Sequence, residues 1–279
     1  MPAVSGLLAE GLRRLGSAAE ARTLLGHAAG VEPSRLALLT EVADDAAGAY
    51  ATLLERRAAG EPVQYLTGRA WFRTVEVAVA PGVFIPRPET EVMTGWAIDR
   101  LADLSGAPVV VELCAGSGAI SAAIAAERPG CRQYAVELST IACRLAEQNL
   151  AGTGVALAEG DMADAFPDLN GTADLVIANP PYIPLEAWEH VAADVRTHEP
   201  ELALFSGADG LDALKVVARV AARLLRPGGW VCAEHAEVQS ESVVGVFAGA
   251  GAFTQVADHT DYNDRPRYVT AVRAAKLAG

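Results

Sequence analysis

Cysteine is scarce in this sequence, and its spacing is not that of a metal site or a disulfide framework. The 279 residues include four cysteines, with no CxxC pair and no histidine pair beside them. Scattered thiols of this kind are typical of buried side chains in a reducing compartment. We therefore predict a cytoplasmic protein with free thiols and no metal centre.

Long apolar runs are also missing. No uninterrupted apolar stretch reaches the ~18 residues that a membrane-spanning helix requires. The first residues lack a compact apolar stretch followed by a small-residue cleavage site. These absences predict a protein that neither crosses a membrane nor is secreted.

Positive charge is in the minority. Lys and Arg number 22 against 35 Asp and Glu, which gives a net charge of −13. Proteins that bind duplex nucleic acid usually need a basic face, because neutralising phosphates supplies much of their affinity. A local basic patch is compatible with an acidic total, so the charge disfavours direct nucleic-acid binding but leaves it open.

Apolar residues make up 51% of the chain, which is enough to fill a sizeable core. The length suits one full α/β domain plus a smaller attached domain. From about Ser5 to Ala59 leucines recur at helical spacing, which predicts short amphipathic helices, and valines alternate from Val75 to Val79 as in a hairpin. We predict a helical bundle over residues 1–70, a hairpin and linker over 71–88, and the main domain over 89–279.

From Pro108 onward strands and helices alternate, which predicts an α/β fold with a Rossmann-like, mostly parallel, doubly wound sheet. The predicted strands are Val109–Leu113, Gln133–Val136, Val155–Ala158, Leu175–Ala178, Gly229–Ala233 and Tyr268–Val272. The predicted helices include Ala119–Ala126, Ser139–Leu150, Leu211–Leu225 and Ser240–Ala250. A tight turn, Arg226-Pro227-Gly228-Gly229, is expected to lead into the fifth strand.

A glycine turn after the first of these strands indicates a nucleoside site. Its residues are Cys114, Ala115, Gly116, Ser117 and Gly118. Glycines let the backbone approach a ligand, and Glu137 ends the second strand, where an acid can accept hydrogen bonds from two ribose hydroxyls. The pattern suits a dinucleotide or S-adenosylmethionine, although the full GxGxxG of a pyrophosphate site is missing. Asp161 and Met162 follow the third strand, either to contact the adenine or as a helix N-cap and a core residue.

The fourth strand runs directly into a second motif, which consists of Asn179, Pro180, Pro181 and Tyr182. Loops at the carboxyl ends of strands carry the ligands of open α/β sheets, so this motif should face the nucleoside. The Asn179 side-chain oxygen and the Pro180 carbonyl can each accept one N–H of a planar NH₂ group, which orients a weak nucleophile and stabilises positive charge developing on it. Pro181 stiffens the segment, and Tyr182 offers a flat face. The motif predicts methyl transfer to an amide or a ring amine.

These motifs, together with Phe84 to Glu91 upstream, resemble the HemK family, whose members are glutamine methyltransferases acting on peptide chain release factors. The resemblance extends over nearly the whole chain, including Gly60 to Gly68, Glu199-Pro200 and the late segment Asp261 to Arg265. One departure is visible: Cys114 stands where the glycine-rich turn of the family often starts with glycine.

The resemblance implies methyl transfer from S-adenosylmethionine to the side-chain nitrogen of the glutamine in the Gly-Gly-Gln motif of a release factor. It implies cofactor binding by residues 114–118, Glu137, Met162 and Asn179, and glutamine binding by Asn179 to Tyr182. The crevice can read only a few residues around the glutamine, so residues 1–70 are our candidate for release-factor docking. We expect a monomer that binds neither a membrane nor nucleic acid directly.

Two rival functions remain open. An adenine N6-amino methyltransferase acting on DNA or RNA would use the same motif on a flipped base, although the net charge disfavours it. A non-catalytic nucleoside-binding protein would be expected to have lost the second motif. Two sets of side chains also carry alternatives. Arg87 or Glu89 lines the cofactor pocket and closes it from the N-terminal side, or forms an interdomain ion pair. Glu234 reaches the crevice or caps a neighbour.

Overall fold

A computed structural model describes residues 1–190 and 192–275 of the chain. Residues 276–279, the end of the predicted main domain, lie outside the described residues. The α-helices are α1 Val4–Leu15, α2 Ala18–Ala29, α3 Asp44–Ala58, α4 Val63–Thr67, α5 Pro88–Ala102, α6 Ala119–Glu127, α7 Thr140–Asn149, α8 Ala193–His198, α9 Glu201–Leu204, α10 Asp212–Leu224 and α11 Ser240–Gly249. Short 3₁₀ helices cover Pro33–Leu38, Met162–Asp164, Pro167–Leu169, Leu185–His190 and Glu237–Gln239. The strands are β1 Arg69–Phe72, β2 Val75–Ala78, β3 Val109–Leu113, β4 Arg132–Glu137, β5 Ala156–Glu159, β6 Ala173–Ala178, β7 Leu225–Glu234, β8 Phe253–Thr260 and β9 Pro266–Arg273.

The chain divides into two compact units, of which the first comprises Met1–Arg69 and Ala193–His198. Its helices pack around buried leucines, including Leu24, Leu36 and Leu54. Local signals set the helix ends: the Ser17 hydroxyl caps α2 by accepting from the Glu20 N–H at 3.2 Å. We predicted a bundle over residues 1–70 alone, but the first unit also contains α8, which lies far beyond residue 70 in the chain.

The second unit comprises Ala70–Ala192 and Glu199–Gly279 and is built on a seven-stranded sheet in the order β5-β4-β3-β6-β7-β9-β8. The strands from β5 to β7 are parallel, and β9 runs antiparallel to both β7 and β8. Helices pack against the sheet, so the predicted Rossmann-like, mostly parallel fold is confirmed. From β3 the chain proceeds outward through β4 and β5, then returns to β6 on the other side. This reversal between β3 and β6 is where open α/β sheets bind their ligands.

All six predicted strands of the sheet are present, and β1 with β2 forms the predicted hairpin. The edge strand β8 was not predicted. Its side chains do not alternate, because Gln255 has a φ of +52° and the pairing with β9 shifts register between Thr254 and Ala257. An irregularity of this kind removes the two-residue period by which a strand is recognised in a sequence.

The predicted tight turn at residues 226–229 lies inside β7 and does not precede it. Leu225 already pairs with Ala173, and the next pair along the ladder joins Leu175 to Trp230. The four residues therefore form a bulge on β7, and this part of the prediction is wrong. Proline has no N–H for the ladder, and Gly228 has a φ of +79°, so the local signal was real although the strand continues through it.

No helix in the described ranges is long and apolar enough to span a membrane.

Candidate active site

The glycine turn lies at the carboxyl end of β3, as predicted. All five residues of β3 are buried, and the chain then turns through residues 114–118 into α6. Gly116 and Gly118 have φ values of +57° and +79°, which glycine adopts without a steric penalty. A Cβ added to Gly116 would meet no atom within 4 Å. The turn thus presents bare backbone to open space, where a ligand can approach it.

Cys114 begins this turn in a conformation that favours glycine. Its φ is +60°, where the Cβ of an L-residue crowds the backbone at a cost of roughly 1–2 kcal/mol. Its sulfur lies 3.5 Å from the sulfur of Met162. Burial, followed by the negative charges of Glu137, Glu112 and Asp161, raises the pKa of the thiol far above its usual value. The thiol therefore stays protonated at neutral pH and supplies no nucleophile.

Glu137 joins the ends of β3 and β4. One carboxylate oxygen accepts from the Gly116 N–H at 2.7 Å, and the other accepts from the Ser139 N–H at 2.7 Å. Each carboxylate oxygen has two lone-pair sites, so both oxygens retain capacity for a hydroxyl donor. The structure therefore brings together two features that the sequence separates, the glycine turn and the acid of the second strand.

Asp161 and Met162 lie beside Glu137. The Gly160 N–H donates to the Glu137 carbonyl at 2.8 Å, which fixes the start of this segment. Asp161 is exposed, and its side chain caps the following turn by accepting from the Ala163 N–H at 2.8 Å. Met162 is half-buried and packs against the main core. Both side chains thus have structural roles, and Asp161 keeps a second carboxylate oxygen for a ligand.

Residues 179–182, which we call the acceptor loop, follow β6 at the same edge of the sheet. Leu113 and Ala178, the last residues of β3 and β6, pair with each other in the parallel ladder. Cys114 directly follows Leu113, and Asn179 directly follows Ala178. Parallel strands end at a common edge, which places the glycine turn and the acceptor loop side by side.

A hydrogen-bonded chain of side chains holds both ends of the acceptor loop. The Asn179 side-chain nitrogen donates to the Thr90 hydroxyl oxygen at 3.1 Å, and that hydroxyl donates to Glu234 at 2.6 Å. The Tyr182 hydroxyl donates to the other oxygen of Glu234 at 3.0 Å. Glu234 is 1% exposed and ends β7. Of the two alternatives for Glu234, the structure shows that it contacts the acceptor loop.

The groups around Glu234 set its electrostatics. Burial raises the pKa of Glu234, whereas the hydrogen bonds from Thr90 and Tyr182 and the positive charge of Arg267 lower it. Burial also raises the pKa of Tyr182 well above its usual value, and the nearby negative charge of Glu234 acts in the same direction. Tyr182 therefore keeps its proton at physiological pH and remains a hydrogen-bond donor.

A second set of contacts fixes the backbone of the acceptor loop. The Gln239 side-chain nitrogen donates to the Tyr182 carbonyl at 2.8 Å and to the Asp209 carbonyl at 3.2 Å. Gly210 packs so closely that an added Cβ would lie 2.2 Å from the Tyr182 oxygen. The acceptor loop thus packs against the segment around Gly210, where only glycine fits at position 210.

Arg87 forms an ion pair. Its guanidinium donates to Glu199, which is buried and also accepts from the Ile85 N–H at 3.4 Å, and it lies over the ring of Phe84 at 5.0 Å. This contact ties the segment before α5 to the segment before α9 within the second unit. Arg87 thus forms an ion pair, but both partners lie in the second unit, so this pair is not the interdomain one that was predicted.

Sequence reasoning did not single out Thr90 or Gln239. Thr90 lies in the segment from Phe84 to Glu91, in which only the charged residues Arg87 and Glu89 were predicted to have a role. A small hydroxyl residue in the first turn of a helix carries no pattern of its own. Only its contacts with Asn179 and Glu234 reveal its place in the site.

Among the described residues, no group of three or more His, Cys, Asp and Glu side chains could hold a metal ion.

Two family models match the chain. The one described as the PrmC N-terminal domain matches residues 7–68, and the one described as the methyltransferase small domain matches residues 75–197.

Curated relatives match over nearly the whole chain. The release factor glutamine methyltransferase of Streptomyces coelicolor is 48% identical over 256 residues, which is 91% of this chain and 90% of that protein. A 4-amino-L-phenylalanine/4-methylamino-L-phenylalanine methyltransferase of Streptomyces pristinaespiralis is 39% identical over 275 residues, 97% of this chain and 92% of that protein.

Among solved structures, a methyltransferase from Pyrococcus furiosus superposes with a TM-score of 0.50 at 17% identity, over 71% of this chain and 89% of that chain. This similarity supports the fold alone.

Proposed function

The chain belongs to the release factor glutamine methyltransferase family, and we propose that it transfers a methyl group from S-adenosylmethionine to the side-chain nitrogen of the glutamine in the Gly-Gly-Gln motif of a peptide chain release factor. The observation that carries this proposal is the Asn179 carboxamide, held by its nitrogen at the carboxyl end of β6, beside the glycine turn of β3. A carboxamide held in this way keeps its oxygen for an incoming NH₂ group.

The residues at this edge suit S-adenosylmethionine. The open space above Gly116 can take the amino-acid portion of the cofactor against bare backbone, and the spare lone pairs of Glu137 can accept from the ribose hydroxyls. Asp161 and Met162 are proposed to contact the adenine. We further assign Cys114, Ala115, Ser117, Gly118 and Asn179 to cofactor binding. When bound, the cofactor supplies a methyl group activated by a positively charged sulfur.

The acceptor loop is proposed to bind and orient the glutamine. Asn179 Oδ1 and the Pro180 carbonyl each accept one N–H, and this fixes the direction of the nitrogen lone pair. Pro181 keeps the loop stiff, and the ring of Tyr182 packs against the planar amide. With the cofactor bound, formation of the N–C bond would break the C–S bond, and the electron pair of that bond would stay on sulfur. The two oxygens stabilise the positive charge that develops on nitrogen, and the proton leaves to water afterwards, so no strong base is needed.

A relative supplies a second candidate acceptor. The Streptomyces pristinaespiralis protein, named for its action on 4-amino-L-phenylalanine, is 39% identical to this chain. An aromatic amine is also a planar NH₂ group with a delocalised lone pair, so two carbonyl oxygens can orient it in the same way. The higher identity of 48% to a release factor enzyme favours the glutamine.

We propose that the first unit recognises the body of the release factor, since the crevice can contact only the residues around the glutamine. The enzyme is proposed to act in the cytoplasm, where release factors work, as a monomer and without direct contact to nucleic acid or a membrane.

The test offers three acceptors side by side with labelled cofactor: an intact release factor, free 4-amino-L-phenylalanine and duplex DNA. We expect label in the release factor, and a mass gain of one CH₂ in the tryptic peptide that contains Gly-Gly-Gln. Label only in the aromatic amine would support the second candidate. Label in the DNA alone, or in none of the three, would refute the proposal.

A further inference from the structure

Both ends of the acceptor loop depend on one buried carboxylate. Asn179 reaches Glu234 through the Thr90 hydroxyl, and Tyr182 reaches it directly. Thr90 is 3% exposed and lies in the first turn of α5, so water has little access to the connection.

The chemistry of these groups allows one direction of hydrogen bonding. A carboxylate only accepts, so the single hydrogen of the Thr90 hydroxyl must point to Glu234. The Thr90 oxygen is then left as an acceptor, which the Asn179 nitrogen satisfies and the Asn179 oxygen cannot. The orientation of an Asn amide is set by its hydrogen-bond network, and here the network leaves the oxygen free.

We infer that Thr90 and Glu234 are positioning residues that set which end of the Asn179 carboxamide faces the methyl acceptor. The inference rests on the proposed function, because it concerns an acceptor that donates N–H groups. Without the Thr90 hydroxyl the carboxamide is free to turn. Its nitrogen would then face the NH₂ of the acceptor, and two donors cannot form a hydrogen bond.

The geometry around Glu234 supports this direction, because each of its two oxygens faces a hydroxyl donor. Burial raises the pKa of Glu234, whereas the hydrogen bonds from Thr90 and Tyr182 and the positive charge of Arg267 oppose that rise. The same carboxylate orients the Tyr182 hydroxyl. One buried carboxyl group thus positions an oxygen acceptor and an aromatic face at opposite ends of the acceptor loop.

The test compares Thr90→Val with Thr90→Ser and with a matched control, Thr94→Val. Valine has the shape of threonine without the hydroxyl, whereas serine retains it. Thr94 is also buried and lies one turn further along α5, but its hydroxyl donates to the Thr90 backbone carbonyl at 2.9 Å. The kcat and the KM for both substrates are measured on whichever acceptor the wild-type enzyme methylates, and thermal unfolding reports on the fold.

We expect Thr90→Val to lower kcat at least tenfold, because small misplacements of orienting groups can cost about a hundredfold. Thr90→Ser should restore kcat to within about threefold, and Thr94→Val should leave it unchanged. A wild-type kcat in Thr90→Val would overturn the inference, as would an equal loss in Thr94→Val. Thr90→Ala provides the same comparison should the valine variant fail to fold. An inactive wild-type enzyme on release factor refutes the proposed function instead.

Discussion

Glu112 is a carboxylate whose charged form is poorly solvated. It is the fourth of the five residues of β3 and is 1% exposed. One of its oxygens accepts from the Ser121 N–H at 3.0 Å and from the Ser121 hydroxyl. The other oxygen has no hydrogen-bond partner among the described residues. Burial raises its pKa to about 8, against a partial opposing effect of the Ser121 hydrogen bonds. A neutral Glu112 is therefore favoured in the folded protein up to mildly alkaline pH.

Glu112→Gln should stabilise the protein progressively as pH rises. The folded pKa of about 8 exceeds the ordinary value of 4.5, so the folded state holds a proton that the unfolded state has lost between these values. The wild-type free energy of unfolding then falls relative to the variant by up to about 1.4 kcal/mol per pH unit. Denaturant unfolding at pH 5, 6, 7 and 8 measures the gap. A gap that stays constant, or that narrows with rising pH, would contradict the prediction.

Cys114 stores backbone strain at the start of the glycine turn. The variants Cys114→Gly and Cys114→Ala both remove the sulfur, but only glycine relieves the φ of +60°. We expect the glycine variant to be the more stable of the two by about 1 kcal/mol. Chemical denaturation of both variants measures this difference, and equal stabilities would mean that the turn carries no such strain.

At the scale of elements, the acceptor loop is held between α5, β7 and the segment before α10. Gly210 allows this segment to approach, because an added Cβ would lie 2.2 Å from the Tyr182 oxygen and 2.5 Å from the Gln239 side-chain nitrogen. Since the Tyr182 oxygen is main chain, it cannot move without displacing the loop, and the close approach therefore fixes the backbone at Tyr182.

Gly210→Ala should lower kcat at least tenfold by displacing the acceptor loop, since misplaced orienting groups can cost about a hundredfold. The matched control is Gly152→Ala, because Gly152 has a similar φ of +78°, against +75° at Gly210, but nothing within 4 Å of an added Cβ. Both variants should lose stability from backbone strain, and only Gly210→Ala should lose turnover. Similar turnover in the two variants would show that the close contact at position 210 does not matter for the site.

At the scale of the whole molecule, we propose that the first unit recognises the protein substrate. Leu38 ends the 3₁₀ helix Pro33–Leu38 and is 83% exposed, and the next residue, Leu39, is also exposed. Contiguous exposed apolar side chains can mark a surface that binds a partner.

Leu38→Asp should raise the KM for an intact release factor about tenfold, which corresponds to about 1.4 kcal/mol of binding free energy. The kcat and the affinity for S-adenosylmethionine should not change. The internal control is a short peptide containing Gly-Gly-Gln, which lacks the body of the factor and should show the same KM with both enzymes. An unchanged KM for the intact factor would remove Leu38 from the docking surface.

Local patterns predicted most of the fold because its elements are regular. The strand Val109–Leu113 is recognised from its own run of apolar residues, and the glycine turn follows it directly in the sequence. Glu137 is recognised in the same way, as the acid that ends the next strand. The strand β8 and the bulge in β7 were missed or misread because their pairing partners, not their own sequences, make them strands.

The sequence by itself determined which residues follow β3, β4 and β6. Since parallel strands end at one edge, it also determined that the glycine turn, Glu137 and the acceptor loop lie together. Only the tertiary structure decided what orients Asn179. Its partner Thr90 lies 89 positions away in the chain, and Glu234 lies 52 positions from Tyr182. The direction of the hydrogen bond between Asn179 and Thr90 depends on groups that are distant in the sequence and come together only in the folded protein. No short sequence pattern predicts such a contact.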